Sequence, residues 1–323
     1  MRVFVLSFVL FSFILPTSCA SVVIVVLDGF GALYLSPNTP HTLDGTELPT
    51  VDVPEWMKGM QNCTVLIRVP ETSTSLAILF TGCRMATPEM LSYENATIFD
   101  ILRNHGYHVY GIMEQGDNQY MLSEFDGAIS FRGNPEKMNL VFIGEAKKWE
   151  SVGGEYEGWS IREATQLVKM LPEPFVLVLE VASIDIAGHG GGVDTYLQEI
   201  EQTLNQLEVL VDACREEGIM VVITADHGMA FRTEDGKGGH ASVPYRFTDE
   251  VRIAPLYIGG VELMACPSSI HEEEVLPLIL TLLDIDERPK YVQQKQNVWQ
   301  SKKLGLVILF LINLCVYIIL KRR

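Results

Sequence analysis

The sequence predicts an α/β domain with a mostly parallel central sheet and helices on both faces. Three observations carry that prediction. Apolar, β-branched runs at Ser21 to Leu27, Phe175 to Val181 and Met220 to Thr224 read as strands buried on both faces. Helical segments alternate with them, which is the pattern of a parallel sheet. The chain of 323 residues, 48% hydrophobic, is long enough to bury one large core.

The elements follow in order. Residues 1–20 hold Arg2, an apolar run from Val3 to Leu15, Pro16, and small residues at Ser18 and Ala20, the layout of a cleaved export signal. The strand from Ser21 comes next. Thr72 to Gly82 reads as a short helix stopped by its glycine, and Thr97 to Gly106 as one capped by Thr97. His108 to Ile112 and Leu140 to Ile143 read as strands. Ile161 to Leu171 is an amphipathic helix ended by Pro172. Leu197, Ile200, Leu204, Leu207, Val211 and Cys214 recur at helical spacing, with Asp194 as the expected N-cap and Gly218 as the stop.

The domain is expected to span 21–292, followed by a polar stalk at 293–303. Residues 304–320 are apolar apart from Asn313, with Lys302 and Lys303 before them and Lys321-Arg322-Arg323 after. That pattern predicts a C-terminal transmembrane helix and a cytoplasmic basic tail, 321–323, which leaves the domain outside the cytoplasm on a single-pass anchor.

Bulk chemistry narrows the partners. A net charge of −17 argues against nucleic acid, whose phosphate backbone needs a basic surface. Bound cations can still invert the local charge of a site and admit a phosphorylated substrate. Outside the terminal segments the cysteines are Cys63, Cys83, Cys214 and Cys266; none forms a CxxC pair, and four allow three disulfide connectivities. Asn62-Cys63-Thr64 and Asn95-Ala96-Thr97 fit the glycosylation sequon.

The chemistry-bearing positions gather after the strands. Asp28, Asp185 and Asp226 each follow the carboxyl end of a predicted strand, the edge where sites assemble in open α/β sheets. Asp185 and His189 are four residues apart, so a helix or tight turn puts them on one side. Asp226 and His227 are adjacent and can share a site only from an irregular loop, with Gly228 following. His240 comes after Gly238 and Gly239. Three carboxylates and three imidazoles suffice for two divalent metals, zinc or manganese by donor chemistry, and such a pair clamps the attacking and leaving oxygens of a phosphoryl displacement. His41, His105, His108 and His271 read as structural or exposed. Thr72, Ser73, Thr74 and Ser75 offer hydroxyls at a helix N-terminus, where backbone N–H groups favour phosphoryl oxygens.

These pieces resemble the alkaline phosphatase superfamily of metalloenzymes. The resemblance covers about residues 21–260. It is carried by Val26-Leu27-Asp28-Gly29-Phe30-Gly31, Glu71-Thr72-Ser73-Thr74-Ser75 through Phe80-Thr81-Gly82, Asp185-Ile186-Ala187-Gly188-His189, Thr224-Ala225-Asp226-His227-Gly228, and Gly239-His240-Ala241-Ser242-Val243-Pro244. Leu27-Asp28-Gly29 and the short step from Asp226 to His240 look most like the cofactor-independent phosphoglycerate mutase branch. The stretch from Gly82 to Phe175 is too short for that branch's inserted domain. The resemblance implies an alkaline-phosphatase-like core. It implies one metal at Asp185, His189 and His240, and another at Asp28, Asp226 and His227, bridged by the nucleophile. Counting back nine positions from Thr81 assigns that nucleophile to Thr72, ahead of Ser73 and Thr74. The expected activity is hydrolysis of a phosphate ester, on a small molecule or a lipid head group, through a phospho-threonine. The alternatives are transfer of a lipid-linked head group, a mutase-like reaction, and a non-catalytic metal-binding surface protein. A sulfatase would need Cys/Ser-x-Pro-x-Arg, and Thr72-Ser73-Thr74-Ser75-Leu76 lacks both Pro and Arg.

Overall fold

The computed structural model of the protein describes residues 21–114, 119–131, 140–151, 158–260 and 267–289. Its strands are β1 (Val22–Leu27), β2 (Gln61–Leu66), β3 (His108–Met113), β4 (Gly127–Phe131), β5 (Leu140–Gly144), β6 (Phe175–Val181), β7 (Met220–Thr224), β8 (Ala230–Phe231), β9 (Gly238–Gly239), β10 (Ile253–Gly259) and β11 (Ser269–His271). Its α-helices are α1 (Glu55–Lys58), α2 (Thr72–Thr81), α3 (Ile98–Asn104), α4 (Gln119–Leu122), α5 (Trp159–Leu167), α6 (Ser183–Gly190), α7 (Val193–Glu216), α8 (Asp249–Arg252) and α9 (Glu272–Leu282).

The strands predicted as continuous apolar runs lie at the centre. The main sheet has the order β11-β2-β10-β7-β1-β6-β3-β4-β5. β1 pairs in parallel with β6 on one side, Val22 opposite Val176, and with β7 on the other, Val22 opposite Met220. β10 and β5 run against their neighbours, so the sheet is mostly parallel. Every side chain of β1 is buried. Ile24 and Val26 line a small cavity together with Leu79 and Phe80 of α2 and Val275 and Ile279 of α9. Alternation along the strand turns Val23 and Val25 to the other face. The helices group accordingly, α2 with α3 and α9, and α7 with α5 and α6.

The caps show why the helices begin and end where they do. α2 stops at Gly82, whose φ of +62° and N–H to Ile78 O end the last turn. Thr97 caps α3 in a reciprocal box with Asp100. α7 begins two residues earlier than its sequence signal. Gly192 is the N-cap and Asp194 lies in the first turn, where its charge favours the helix dipole.

Cys83 and Cys214 are buried free thiols, so a two-disulfide framework is absent; Cys266 lies outside the described residues. The expected export segment at 1–20, the stalk and the apolar run at 304–320 also lie outside them. Among the described residues no helix is long and apolar enough to cross a membrane.

One backbone crossing sets the tolerance of the fold near the sheet's carboxyl edge. A Cβ on Gly228 would lie 2.1 Å from Glu250 O and 2.7 Å from the Cα of Gly31. Both obstacles are backbone and cannot rotate away. Gly228→Ala is therefore expected to cost ~1–3 kcal/mol, the range for overpacking. An unchanged urea midpoint would show that the crossing is looser than described.

Candidate metal centre

The turns after β1, β6 and β7 bring three carboxylates to one point. Asp28 follows β1, and its N–H donates to Val181 O at 2.9 Å, which joins this turn to the end of β6. Gly29 then takes φ +78°, and a Cβ there would lie 2.9 Å from the Cα of Asp185. Glycine is what allows the two segments so close. Tyr196 of α7 braces the turn: its hydroxyl donates to Gly29 O (2.6 Å) and accepts from the Gly31 N–H (3.2 Å). Asp226 Oδ1 accepts the Gly29 N–H at 3.3 Å and the His227 N–H at 2.9 Å. Asp185 stands in the first turn of α6 and His189 in its last, so helical spacing places both on one side as expected.

The three imidazoles are oriented alike. His189 Nδ1 lies 3.2 Å from Gly238 O, His227 Nδ1 3.1 Å from Gly228 O, and His240 Nδ1 2.7 Å from Pro70 O. A carbonyl only accepts, so each Nδ1 carries the proton and each Nε2 offers a lone pair. This is how metal-ligating histidines are held. His227 stacks on His240 with ring centroids 3.8 Å apart.

Two overlapping clusters result. His189 Nε2 is 3.5 Å from Asp185 Oδ1 and 3.0 Å from His240 Nε2, and His240 Nε2 is 3.6 Å from Asp185 Oδ1. His227 Nε2 is 3.3 Å from Asp28 Oδ1 and 3.4 Å from Asp226 Oδ2. Ligand atoms of Asp28, Asp226 and His227 lie within 4.8 Å of one another, and so do those of Asp185, His227 and His240. His227 therefore stands between the clusters. All seven residues singled out in the sequence meet here: Thr72 Oγ1, on the first residue of α2, is 3.4 Å from Asp28 Oδ1 and 3.3 Å from His227 Nε2. His41, His105, His108 and His271 belong to neither cluster.

The electrostatics fit divalent cations. Burial and the charges of Asp226, Asp185 and Glu180 hold the Asp28 carboxyl well above the usual range. Burial raises Asp226 to about 6, against the pull of the Gly29 N–H. Burial, helped by His240, pushes His227 down to about 3 and keeps it neutral. Asp185 Oδ1 and Asp226 Oδ2 are buried and accept no hydrogen bond. Two Nε2 lone pairs facing each other at 3.0 Å repel unless a proton or a cation lies between them. Positive charge at this point would remove the carboxylate repulsion, use the orphaned oxygens and separate the lone pairs.

Sequence reasoning missed the supports. Ser75 Oγ donates to Asp226 O at 2.6 Å and lies 3.2 Å from Glu272 Oε2, at the start of α9. Burial raises Glu272 to about 8, against the pull of the Arg68 N–H and of Ser75 Oγ, which also donates to Oε2. This chain fixes α2, and with it Thr72, against the segment holding Asp226 and His227. Ser75 was visible only as one hydroxyl among four, and no local pattern singled out Tyr196.

Comparison with known proteins bears on the class of protein. A family model described as the Metalloenzyme superfamily matches residues 153–306, which hold Asp185, His189, Asp226, His227 and His240. The 2,3-bisphosphoglycerate-independent phosphoglycerate mutase of Mycoplasmopsis pulmonis is 28% identical over 166 residues, 50% of this chain and 30% of the mutase. The chain thus spans less than a third of that relative's length. A protein of the alkaline phosphatase superfamily from Vibrio parahaemolyticus shares the fold with a TM-score of 0.55 at 17% identity, over 83% of this chain and 67% of that one. A 2-O GAG sulfatase does so with a TM-score of 0.57 at 13% identity, over 84% and 72%. Fold and site together define a metalloenzyme-type protein whose chemistry calls for divalent metal ions. The family model, the mutase relatives and these shared folds together support the resemblance to the alkaline phosphatase superfamily.

Two outcomes test the centre. Protons compete with cations for Asp28 and Asp226, and both carboxyls are raised. Affinity for zinc or manganese should therefore fall as pH drops from 7.5 through about 6, not near 4 as for ordinary carboxylates. Chelator competition across pH 5 to 8 measures this, and a flat profile down to pH 5 would contradict it. Asp28→Asn replaces a candidate ligand carboxylate by an amide and should abolish the rise in unfolding midpoint that zinc or manganese gives the wild type; thermal melts with and without chelator measure this, and an undiminished rise would contradict the centre.

Proposed function

We propose that the protein is a two-metal phosphohydrolase acting through a covalent phospho-threonine. The observation that carries this reading is the position of Thr72. Its hydroxyl heads a ten-residue helix, whose first N–H groups suit phosphoryl oxygens, and touches both Asp28 and His227.

In this reading Asp28, Asp226 and His227 hold one divalent ion beside Thr72, and Asp185, His189 and His240 hold the second; zinc and manganese both suit the mixed oxygen and nitrogen donors. When bound, the ions supply charge that acidifies a nearby hydroxyl and neutralises the oxygens of the transferring group. Thr72 Oγ1 attacks phosphorus in line. The Oγ1–P bond forms, the bond to the leaving oxygen breaks, and the proton that Oγ1 gives up passes through water to the departing alkoxide. Water then attacks the phospho-threonine from the same open side, releasing phosphate and restoring the hydroxyl. Asp28 and His227 hold Oγ1 on this line, and the Ser75–Glu272 chain holds the helix that carries it. Catalysis of this kind is positioning and charge stabilisation.

Sulfate esters are disfavoured, because the nucleophile segment lacks the Cys/Ser-x-Pro-x-Arg setting. Comparing soluble with lipid phosphodiesters separates ester hydrolysis from transfer of a lipid-linked head group.

The full-length chain loaded with zinc or manganese should hydrolyse an aryl phosphate or an aryl phosphodiester faster than it does a lipid phosphodiester in vesicles. Thr72→Ala should lower kcat by at least ~10³-fold, as nucleophile loss does, with metal content unchanged. Turnover surviving in Thr72→Ala would remove the covalent step. Two bound ions with no activity on either ester would remove the proposed function.

A further inference from the structure

α6 carries two of the ligands, yet it starts badly. Its N-cap is Ala182, which has no side-chain acceptor for the first N–H groups of the helix; alanine is among the poorest residues at that position. The acceptor comes from another strand. Glu114, the residue after β3, is buried at 5% exposure. Its Oε2 accepts the Ala182 N–H at 2.8 Å, and the Ser183 N–H also donates to this carboxylate. Its other oxygen accepts the hydroxyl of Ser160, near the start of α5 and itself fully buried. The negative charge also lies at the positive end of the helix dipole.

We propose that Glu114 is a positioning residue for the metal centre: reaching from β3, it caps α6 and fixes the turn of helix that aims Asp185 and His189 at one point. This rests on the reading of Asp185, His189 and His240 as a metal site. Asp185 stands two residues beyond Ser183, so loss of the cap loosens the turn that carries it. His189, one turn further, depends on the same helix register to bring its Nε2 beside that of His240. The ion at Asp28, Asp226 and His227 draws its ligands from the ends of β1 and β7, so the cap reaches it only indirectly, through the Asp28–Val181 hydrogen bond and the packing of Gly29 on Asp185. A cap of merely structural value would weaken both ions or neither.

The test uses the full-length chain with Glu114→Ala, Glu114→Gln and Ser160→Ala. Amide hydrogen exchange over α6 is measured on chelator-treated protein, and the affinities of both ions by chelator competition. In Glu114→Ala the α6 amides should exchange about tenfold faster. One ion should be held ~10–100-fold more weakly, the usual effect of losing a support behind the ligands. The other should stay within about threefold. Glu114→Gln keeps one acceptor oxygen and should fall between Ala and wild type, and Ser160→Ala should shift the same ion in the same direction by less. Unchanged exchange over α6, unchanged affinities, or equal weakening of both ions would overturn the inference. Should Glu114→Ala fail to fold, Glu114→Gln decides: one ion weakened by at least threefold supports the role, and no change overturns it. If the wild type binds no ion, the metal reading falls and the positioning role falls with it. That outcome is recognisable because the exchange difference over α6 would persist.

Discussion

Four neighbouring strands, β7, β1, β6 and β3, each lead into a buried acid: Asp226, Asp28, Asp185 and Glu114. A fifth, Glu180, lies within β6, paired with Val26 and Met113. The effective cost of desolvating one charge is several kcal/mol. The strands that carry the acids are what offsets it. Fully burying a Val, Leu or Ile gives ~1.5–3 kcal/mol, so the six apolar residues of β1 alone contribute on the order of 10 kcal/mol, enough to hold Asp28 inside. The acids cannot all ionise there without counter-charge. That constraint makes divalent cations the natural complement of this edge.

The same constraint explains the construction around the centre. Each imidazole is fixed through Nδ1 by a backbone carbonyl, so its orientation needs no second carboxylate. Gly29 and Gly228 let backbones cross where any Cβ would collide. Tyr196, Ser75 with Glu272, and Glu114 each secure one of the segments that deliver the clustered side chains or Thr72. Stability is thereby moved out of the charged cluster and into its surroundings. The cluster itself remains a poor place for an unscreened proton balance and a good place for metal.

Much of this was legible before the structure. Continuous apolar runs at β1, β6 and β7 identify strands buried on both faces, and an acid directly after each points to the carboxyl edge. The spacing of Asp185 and His189 gives their shared side once α6 is helical. The step of nine from Thr81 leads to Thr72, where the hydroxyl does face the cluster. Less legible were the elements set by partners instead of by their own pattern. β2 is half-buried and β11 is three residues long, and both, like β10 between β2 and β7, gain their place through long-range pairing. α7 starts at Val193 because Gly192 supplies the turn, although Asp194 looked like the cap.

What the sequence determined alone was the supply of parts: which residues form buried strands, which acids and histidines follow them, and which hydroxyl heads a helix. These follow from local periodicity and composition. What only the tertiary structure decided was convergence and support. His227 standing between two clusters, the 3.0 Å approach of His189 and His240, and the capping of α6 by a glutamate 68 residues before Ala182 depend on strand order and on close backbone crossings. Those are relations between distant segments, and no local pattern encodes a distance across a sheet.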